Sequence, residues 1–457
     1  MNLTRRDALR LAGAGFGMVG LAGALQEAAA APDRTPHFAA KAKRVIFLFM
    51  NGAPSHVDTF DPKPALEKHA GEQPDGKLYK ASAGSGYMPS PFRFAAHGES
   101  GVVMSELFPH LSGVADELCV LRSMHTDVPN HEPGLLMMNS GNLQPVRPCL
   151  GSWLSYGLGA ENQNLPTFVT LAPGLPVVGP QLWSNSFLPG EHQATAIDTR
   201  DMRVEKLLAN LNHPTLGRSE QRRQLDLLQS LNRLHQSRRQ EDPLLETQIR
   251  AMELAFQMQR EASDVLDINR EPKHVKEAYG DSVFGQGCLL ARRLVESGVR
   301  MVQVYDISGG KQPWDTHSKN NEQHQKLCRY SDQATAALIS DLKQRGLLED
   351  TLVIWGGEFG RTPYAQDKVD FQKAGRDHHH TGFSMVLAGG GVKGGLMYGA
   401  TDDFGMHAIE DRIHVHDLHA TILHLLGLDH ERLTYRFSGR DYRLTDVHGR
   451  VVSDIIA

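Results

Sequence analysis

The chain has 457 residues, a formal net charge of −5 and 23 histidines. So small a charge, with no basic run after the opening segment, leaves no basis for nucleic-acid binding. Its four cysteines, Cys119, Cys149, Cys288 and Cys328, form no CxxC pair, which argues against a thiolate zinc site and leaves disulfide pairing open.

Residues 1–31 begin with TRRDALR, pass through the small apolar run LAGAGFGMVGLAGAL and end in EAAAAP. A charged start, an apolar middle and a small-residue end near Ala30 or Ala31 make the layout of an export signal. Thr4, Arg5, Arg6 and Asp7 resemble the twin-arginine form, which is read as an address. The expectation is a protein passed already folded to the twin-arginine export machinery and delivered to the periplasm or the cell exterior. The apolar run is short and rich in Gly and Ala, so no stable membrane span is expected in the mature form.

Residues 32–457 are expected to form one α/β domain. Apolar, β-rich runs occur at RVIFLFM (44–50), ELCVLRSM (117–124), GVRMVQVYD (298–306), DTLVIWGGE (350–358) and FSMVLAG (383–389). Their apolarity is continuous rather than alternating, which predicts strands covered on both faces of a mainly parallel sheet. Helical segments lead into three of them: SELFPHLSGVAD, CLLARRLVESG and SDQATAALISDLKQRGLLED, the alternation of an α/β fold. Residues 216–270 are charged and helical instead, with Leu245, Ile249, Met252 and Phe256 on one stripe. They predict a helical insertion packed on the domain; Pro243 breaks the run and disfavours a coiled coil.

Ligands gather outside the carboxyl ends of strands in open parallel sheets, and potential ligands follow four strands here. After the first come Asn51, His56, Asp58 and Asp61; after the second His125, Thr126, Asp127, Asn130 and His131; after the third Asp306, Asp315 and His317; after the fourth Glu358 and Arg361, then Asp377, His378, His379 and His380. Each cluster alone has a bland reading as a capped turn, and for Asp315 it is that Trp314 packs while Asp315 caps a helix. Together they point to a metal site of mixed carboxylates and imidazoles, which suits zinc, manganese, iron, calcium or magnesium. GGGVKGG (389–395) lacks the spacing of a phosphate loop and reads as a tight turn. HDLHATILHLLG (416–427) is an amphipathic helix in which His416 alone stays a weak site candidate.

The set NGAPSHVDTFDPKP, PWDTH, GGEFGRTP, GRDH with AGGGVKGG, and HDLHATILHLLGLDH with LTDVHG resembles, over nearly the whole chain, a family of exported, functionally uncharacterised bacterial proteins. That family is often called sulfatase-like and belongs to the alkaline phosphatase superfamily. The resemblance implies an alkaline-phosphatase-like α/β sandwich whose relatives act on phosphate or sulfate esters at one or two metal ions. It implies Glu358 in place of a strand-end aspartate whose neighbouring histidine is here Phe359. It also implies His380, with Asp377 and His378 as alternatives, for a later histidine, and Asp315 and His317 for the other metal. The nucleophile position of related phosphodiesterases matches Asp127, with Thr126 beside it. Thr126 is therefore a candidate nucleophile, and Asp127 a further ligand if water attacks instead. No cysteine has the Cys-x-Pro-x-Arg setting of a true sulfatase.

The function expected is an exported metal-dependent hydrolase of phosphate or sulfate esters. One or two divalent ions (zinc, calcium, magnesium or manganese) would be held by Asp58, Asp315, His317, Glu358, His378 and His380. Arg361 would clamp an anionic group, and His131 and His56 would serve as acid/base or supporting residues. Neighbours in an extended loop diverge, so His378 or His380 binds and His379 does not. Expected partners are an anionic ester small molecule or a polysaccharide. The alternative is a non-catalytic exported scaffold that binds surface polysaccharide or protein.

Overall fold

The computed structural model describes residues 35–74, 84–162, 164–207 and 263–457, together with residues 220, 222–224, 226–227 and 230. The export segment 1–31 and most of the expected helical insertion 216–270 lie outside the described residues. Among the described residues, no helix is long and apolar enough to cross a membrane.

A nine-stranded sheet forms the centre. Its strands are β1 (Arg44–Met50), β2 (Leu118–His125), β3 (Phe168–Ala172), β4 (Thr195–Asp198), β5 (Met301–Asp306) and β6 (Thr351–Gly356). A small side sheet contains β7 (Gly360–Ala365) and β8 (Arg376–His379), and the central sheet continues with β9 (Phe383–Ala388), β10 (Leu396–Tyr398) and β11 (Ile413–His414). The order is β10-β2-β9-β6-β1-β5-β3-β4, with β11 also on β2. Neighbours are parallel except around β9, which runs antiparallel to β2 and to β6.

Strand β1 shows why continuous apolarity reads as a doubly covered strand. Val45, Phe47 and Phe49 belong to one core; Ile46, Leu48 and Met50 belong to the other. Helices α1 (His131–Ser140) and α2 (Leu150–Leu158) cover the first face. Helices α3 (Val283–Glu296) and α4 (Asn320–Gln344) cover the second, and α5 (Val415–Leu425) returns to the first through Leu418 and Ile422. The result is three layers, helix on sheet on helix, held by burial of apolar surface on both sides.

All five expected strands lie in this sheet, the first over its full expected length and the others shifted or trimmed at their ends. Strands β3 and β4 were not expected. Of SELFPHLSGVAD, only the part from Leu111 onward is helical, within a 3-10 helix Leu111–Glu117. All four cysteines are buried and unpaired.

Candidate metal centre

The centre is assembled at the carboxyl ends of β1, β2, β5 and β6, and two glycines let the chains meet there. Gly52, after β1, has φ +104°, and a Cβ on it would lie 2.4 Å from the backbone nitrogen of Asp315. A Cβ on Gly375 would lie 1.9 Å from the carbonyl carbon of His317. Only glycine tolerates such approaches, so the segment 314–317 is gripped from both sides. Trp314 is fully buried, with its indole N–H donating to Asp306 at 2.8 Å, which anchors the same segment from below.

Four side chains converge: His131, Asp315, His317 and His378, whose ligand atoms all lie within 4.8 Å of one another. The Nε2 atoms of His131, His317 and His378 stand 3.1, 2.8 and 3.2 Å from Asp315 Oδ1. Between His317 and His378 the Nε2–Nε2 distance is 3.0 Å.

The opposite ring nitrogens fix the chemistry. His131 Nδ1 meets the Glu358 carboxylate at 2.6 Å, His317 Nδ1 meets the side-chain oxygen of Gln366 at 2.5 Å, and His378 Nδ1 meets the carbonyl of Pro129 at 2.7 Å. Each of these partners can only accept, so each ring commits its proton outward on Nδ1. Three Nε2 lone pairs then face one another and an anionic oxygen. That arrangement repels itself unless a cation or added protons sit among them. His131 Nε2 is buried with no aligned hydrogen-bond partner, which suits a metal ligand.

The titration behaviour agrees. Burial opposes a charge on His131, yet its contacts with Asp315 and Glu358 raise it to about 9. Burial would raise Asp315, but contacts with the three imidazoles and with Arg361 hold it far below the usual carboxylate range. The donor set therefore asks for positive charge at its middle. Imidazoles whose Nδ1–H is held by a carboxylate or carbonyl are the usual form of metal ligands, and the residues present fit a divalent ion. His317 is 37 % exposed, so the centre opens to solvent on that side.

The structure brings together three of the six ligands expected from sequence, Asp315, His317 and His378, and adds His131, which was expected as an acid/base or supporting group. Glu358 stands behind His131, fully buried, and also accepts from the Gly52 N–H at 3.1 Å. Asp58 is elsewhere: fully buried, it pairs with Arg376 at 2.8 Å and accepts from Asn320 at 2.9 Å. Arg376 outweighs burial and holds this carboxyl well below its usual range. His380 accepts from the Thr126 N–H through its backbone, and its ring feels Asp127 and His407. His379 turns away to the Met406 carbonyl.

Arg361 was expected to clamp an anion, but its guanidinium is fully buried and faces inward. It donates to Asp315 at 2.6 Å, to the Gly52 carbonyl and to the Ala53 carbonyl at 3.1 Å. It therefore orients Asp315 and ties down the loop after β1. The Asn51 side chain donates to the Lys311 carbonyl at 3.1 Å, and its backbone carbonyl accepts from the Trp314 backbone N–H. His56 is buried against the Gly405 carbonyl at 2.9 Å, and Asp61 accepts from Thr401. Asp377 lies 3.9 Å from His317 Nδ1. The Thr126 hydroxyl is buried without a partner, and Asp127 faces His414 at 3.3 Å. Gln366, Pro129 and Arg376 had no signal in the sequence, because each acts across a distance that spacing does not reveal.

A family model described as "Protein of unknown function (DUF1501)" matches residues 42–456. The chain belongs to the DUF1501 family. No curated protein matches it. Among solved structures, this DUF1501 member is similar to the lipoteichoic acid synthase LtaP from Listeria monocytogenes at 10% identity, with 91% of this chain and 78% of that chain covered and a TM-score of 0.40. It is similar to the PsFucS1 sulfatase from Pseudoalteromonas sp. at 13% identity, covering 85% and 68%, with a TM-score of 0.36. It is also similar to alkaline phosphatase from the Antarctic bacterium TAB5 at 11% identity, covering 84% and 98%, with a TM-score of 0.34.

Proposed function

We propose that the protein is an exported metal-dependent hydrolase of phosphate or sulfate esters. The observation that carries this reading is the convergence of three outward-protonated imidazoles on Asp315 Oδ1 in a centre that opens to solvent beside His317. His131, His317, His378 and Asp315 would hold the ion. Three nitrogens and one oxygen suit zinc, iron or manganese better than calcium or magnesium, which prefer all-oxygen sites. The described residues bring together one such group, which favours one ion over two.

A divalent ion bound there supplies a Lewis acid that polarises an ester oxygen and offsets negative charge built up during displacement. The chain's own residues orient that centre. Arg361 fixes Asp315, Glu358 fixes His131, and the Pro129 carbonyl fixes His378. None of the four converging side chains carries a hydroxyl or thiol, and Thr126 is only 5 % exposed with its hydroxyl buried. The reading is therefore direct attack by water, without a covalent ester on the protein. The motif resemblance to sulfatase-like proteins of the alkaline phosphatase superfamily supports ester substrates, and a small anionic ester or an esterified polysaccharide is the substrate class. The opening segment supports export to the periplasm or beyond.

The test is hydrolysis of p-nitrophenyl phosphate, bis(p-nitrophenyl) phosphate and p-nitrophenyl sulfate by the zinc- or manganese-loaded full chain. Turnover that falls about a hundredfold in His317→Ala and survives in Thr126→Ala supports the reading. Loss of turnover in Thr126→Ala would replace water with a covalent nucleophile, and no turnover of any ester by loaded protein would remove the hydrolase reading.

A further inference from the structure

One short turn before His131, Asp127 lines a second cleft of about 510 Å³, together with His414, His416, Asp417, His448 and Arg450. The imidazoles form a row: His125 to His414, His414 to His416 and His416 to His448 have ring centroids 5.2, 5.0 and 5.0 Å apart. Such a row invites a metal, but one hydrogen bond argues otherwise. His414 caps helix α5 by accepting the His416 N–H on Nδ1 at 3.2 Å. In its neutral form the ring then carries its proton on Nε2 and offers the cleft a donor, not a lone pair.

That Nε2 is 3.3 Å from Asp127 Oδ1, yet it is not aligned for a hydrogen bond and is buried without a partner. A donor without an aligned acceptor thus sits beside a carboxylate that is 49 % exposed. Asp417 is already engaged by the chain, since one oxygen accepts from His414 N and the other from Arg450 N. A free anion would meet Asp127, and a free cation would meet the His414 N–H and Arg450. A hydroxyl fits both, accepting from His414 Nε2 while donating to Asp127.

We propose that this cleft is a saccharide subsite, in which a sugar hydroxyl bridges His414 Nε2 and Asp127. Its volume is that of a small-molecule site, and its lining combines carboxylates, imidazoles and a guanidinium with one apolar side chain, Val447. Val447 is 70 % exposed at its rim. An exposed aliphatic group suits the C–H face of a sugar ring. The subsite goes beyond the proposed reaction and does not depend on it, because it recognises hydroxyls whether or not an ester is cleaved at the metal centre.

The experiment is calorimetric titration of the zinc-loaded full chain with neutral hexasaccharides of glucose (α- and β-linked), mannose, galactose and N-acetylglucosamine. Binding of at least one, weakened about tenfold or more in Asp127→Ala and in His414→Phe with the zinc content of the main centre unchanged, is the result expected. Three results would overturn the subsite: no hexasaccharide binds, binding survives both variants, or the variants instead remove a second zinc ion or a bound sulfate. Where His414→Phe fails to fold, Asp127→Asn decides alone, since it keeps the shape and weakens the acceptor.

Discussion

At the scale of single residues, the roles of Glu358 and Asp58 separate. Glu358 fixes the ring of His131 and leaves Nε2 free to face the centre. Glu358→Gln keeps the shape with a weaker acceptor and is expected to lower metal affinity about 10- to 100-fold, read by chelator competition; unchanged affinity would show that the contact does nothing for the ligand. Asp58→Ala is expected to cost about 3–5 kcal/mol of stability, because Arg376 would remain fully buried without its counter-charge. Denaturant unfolding measures that cost. Both carboxylates follow strand ends and look alike in sequence. Glu358 stands behind an imidazole from α1, and Asp58 meets an arginine 318 positions away; nothing in local spacing carries either fact. By contrast, Asp315 and His317 were readable as neighbours because they share one short segment pinned between Gly52 and Gly375.

At the scale of elements, helix α4 is coupled to the loop after β1 through His324. Its Nδ1 donates to the Asn320 carbonyl at 3.1 Å, so Nε2 accepts the Ser55 N–H at 3.0 Å. Burial lowers this ring to about 4, with Asp58 opposing. The folded form therefore binds its proton less readily than the unfolded form, near 6.5. The contribution to stability is full above pH 6.5 and is lost as pH falls towards 4, about 3 kcal/mol in all for a fully buried group. His379 and His419 are buried in the same sense, each lowered to about 3 chiefly by burial. Urea midpoints measured from pH 7 to pH 4 are expected to fall, and to fall less steeply in His324→Gln; an identical slope in the variant would contradict this coupling. Gly52→Ala is expected to lose several kcal/mol, since both its φ of +104° and the approach of Asp315 forbid a side chain. Thermal unfolding measures it. Strands such as β1 were legible because both faces are buried and the whole run is apolar. The antiparallel insertion of β9 was not, since apolarity carries no direction.

At the scale of the whole molecule, the carboxyl edge of the sheet gathers residues from α1, the 314–317 segment and β8 into one centre. The strand-end ligand pattern made that edge readable in sequence; the particular membership of the centre was settled by which ring nitrogens have acceptors behind them. A resident ion should also stabilise the fold, because it binds the assembled site and not the unfolded chain. A strong chelator is therefore expected to lower the unfolding temperature of wild type and to leave that of His317→Ala unchanged. The most direct measurement is elemental mass spectrometry of the purified full chain beside His317→Ala and Asp58→Ala. The expected result is about one transition-metal ion per chain in wild type and in whatever Asp58→Ala protein folds, with the ion lost in His317→Ala. Wild type free of metal after saturation with zinc or manganese, or His317→Ala retaining its full complement, would contradict the centre described by His131, Asp315, His317 and His378.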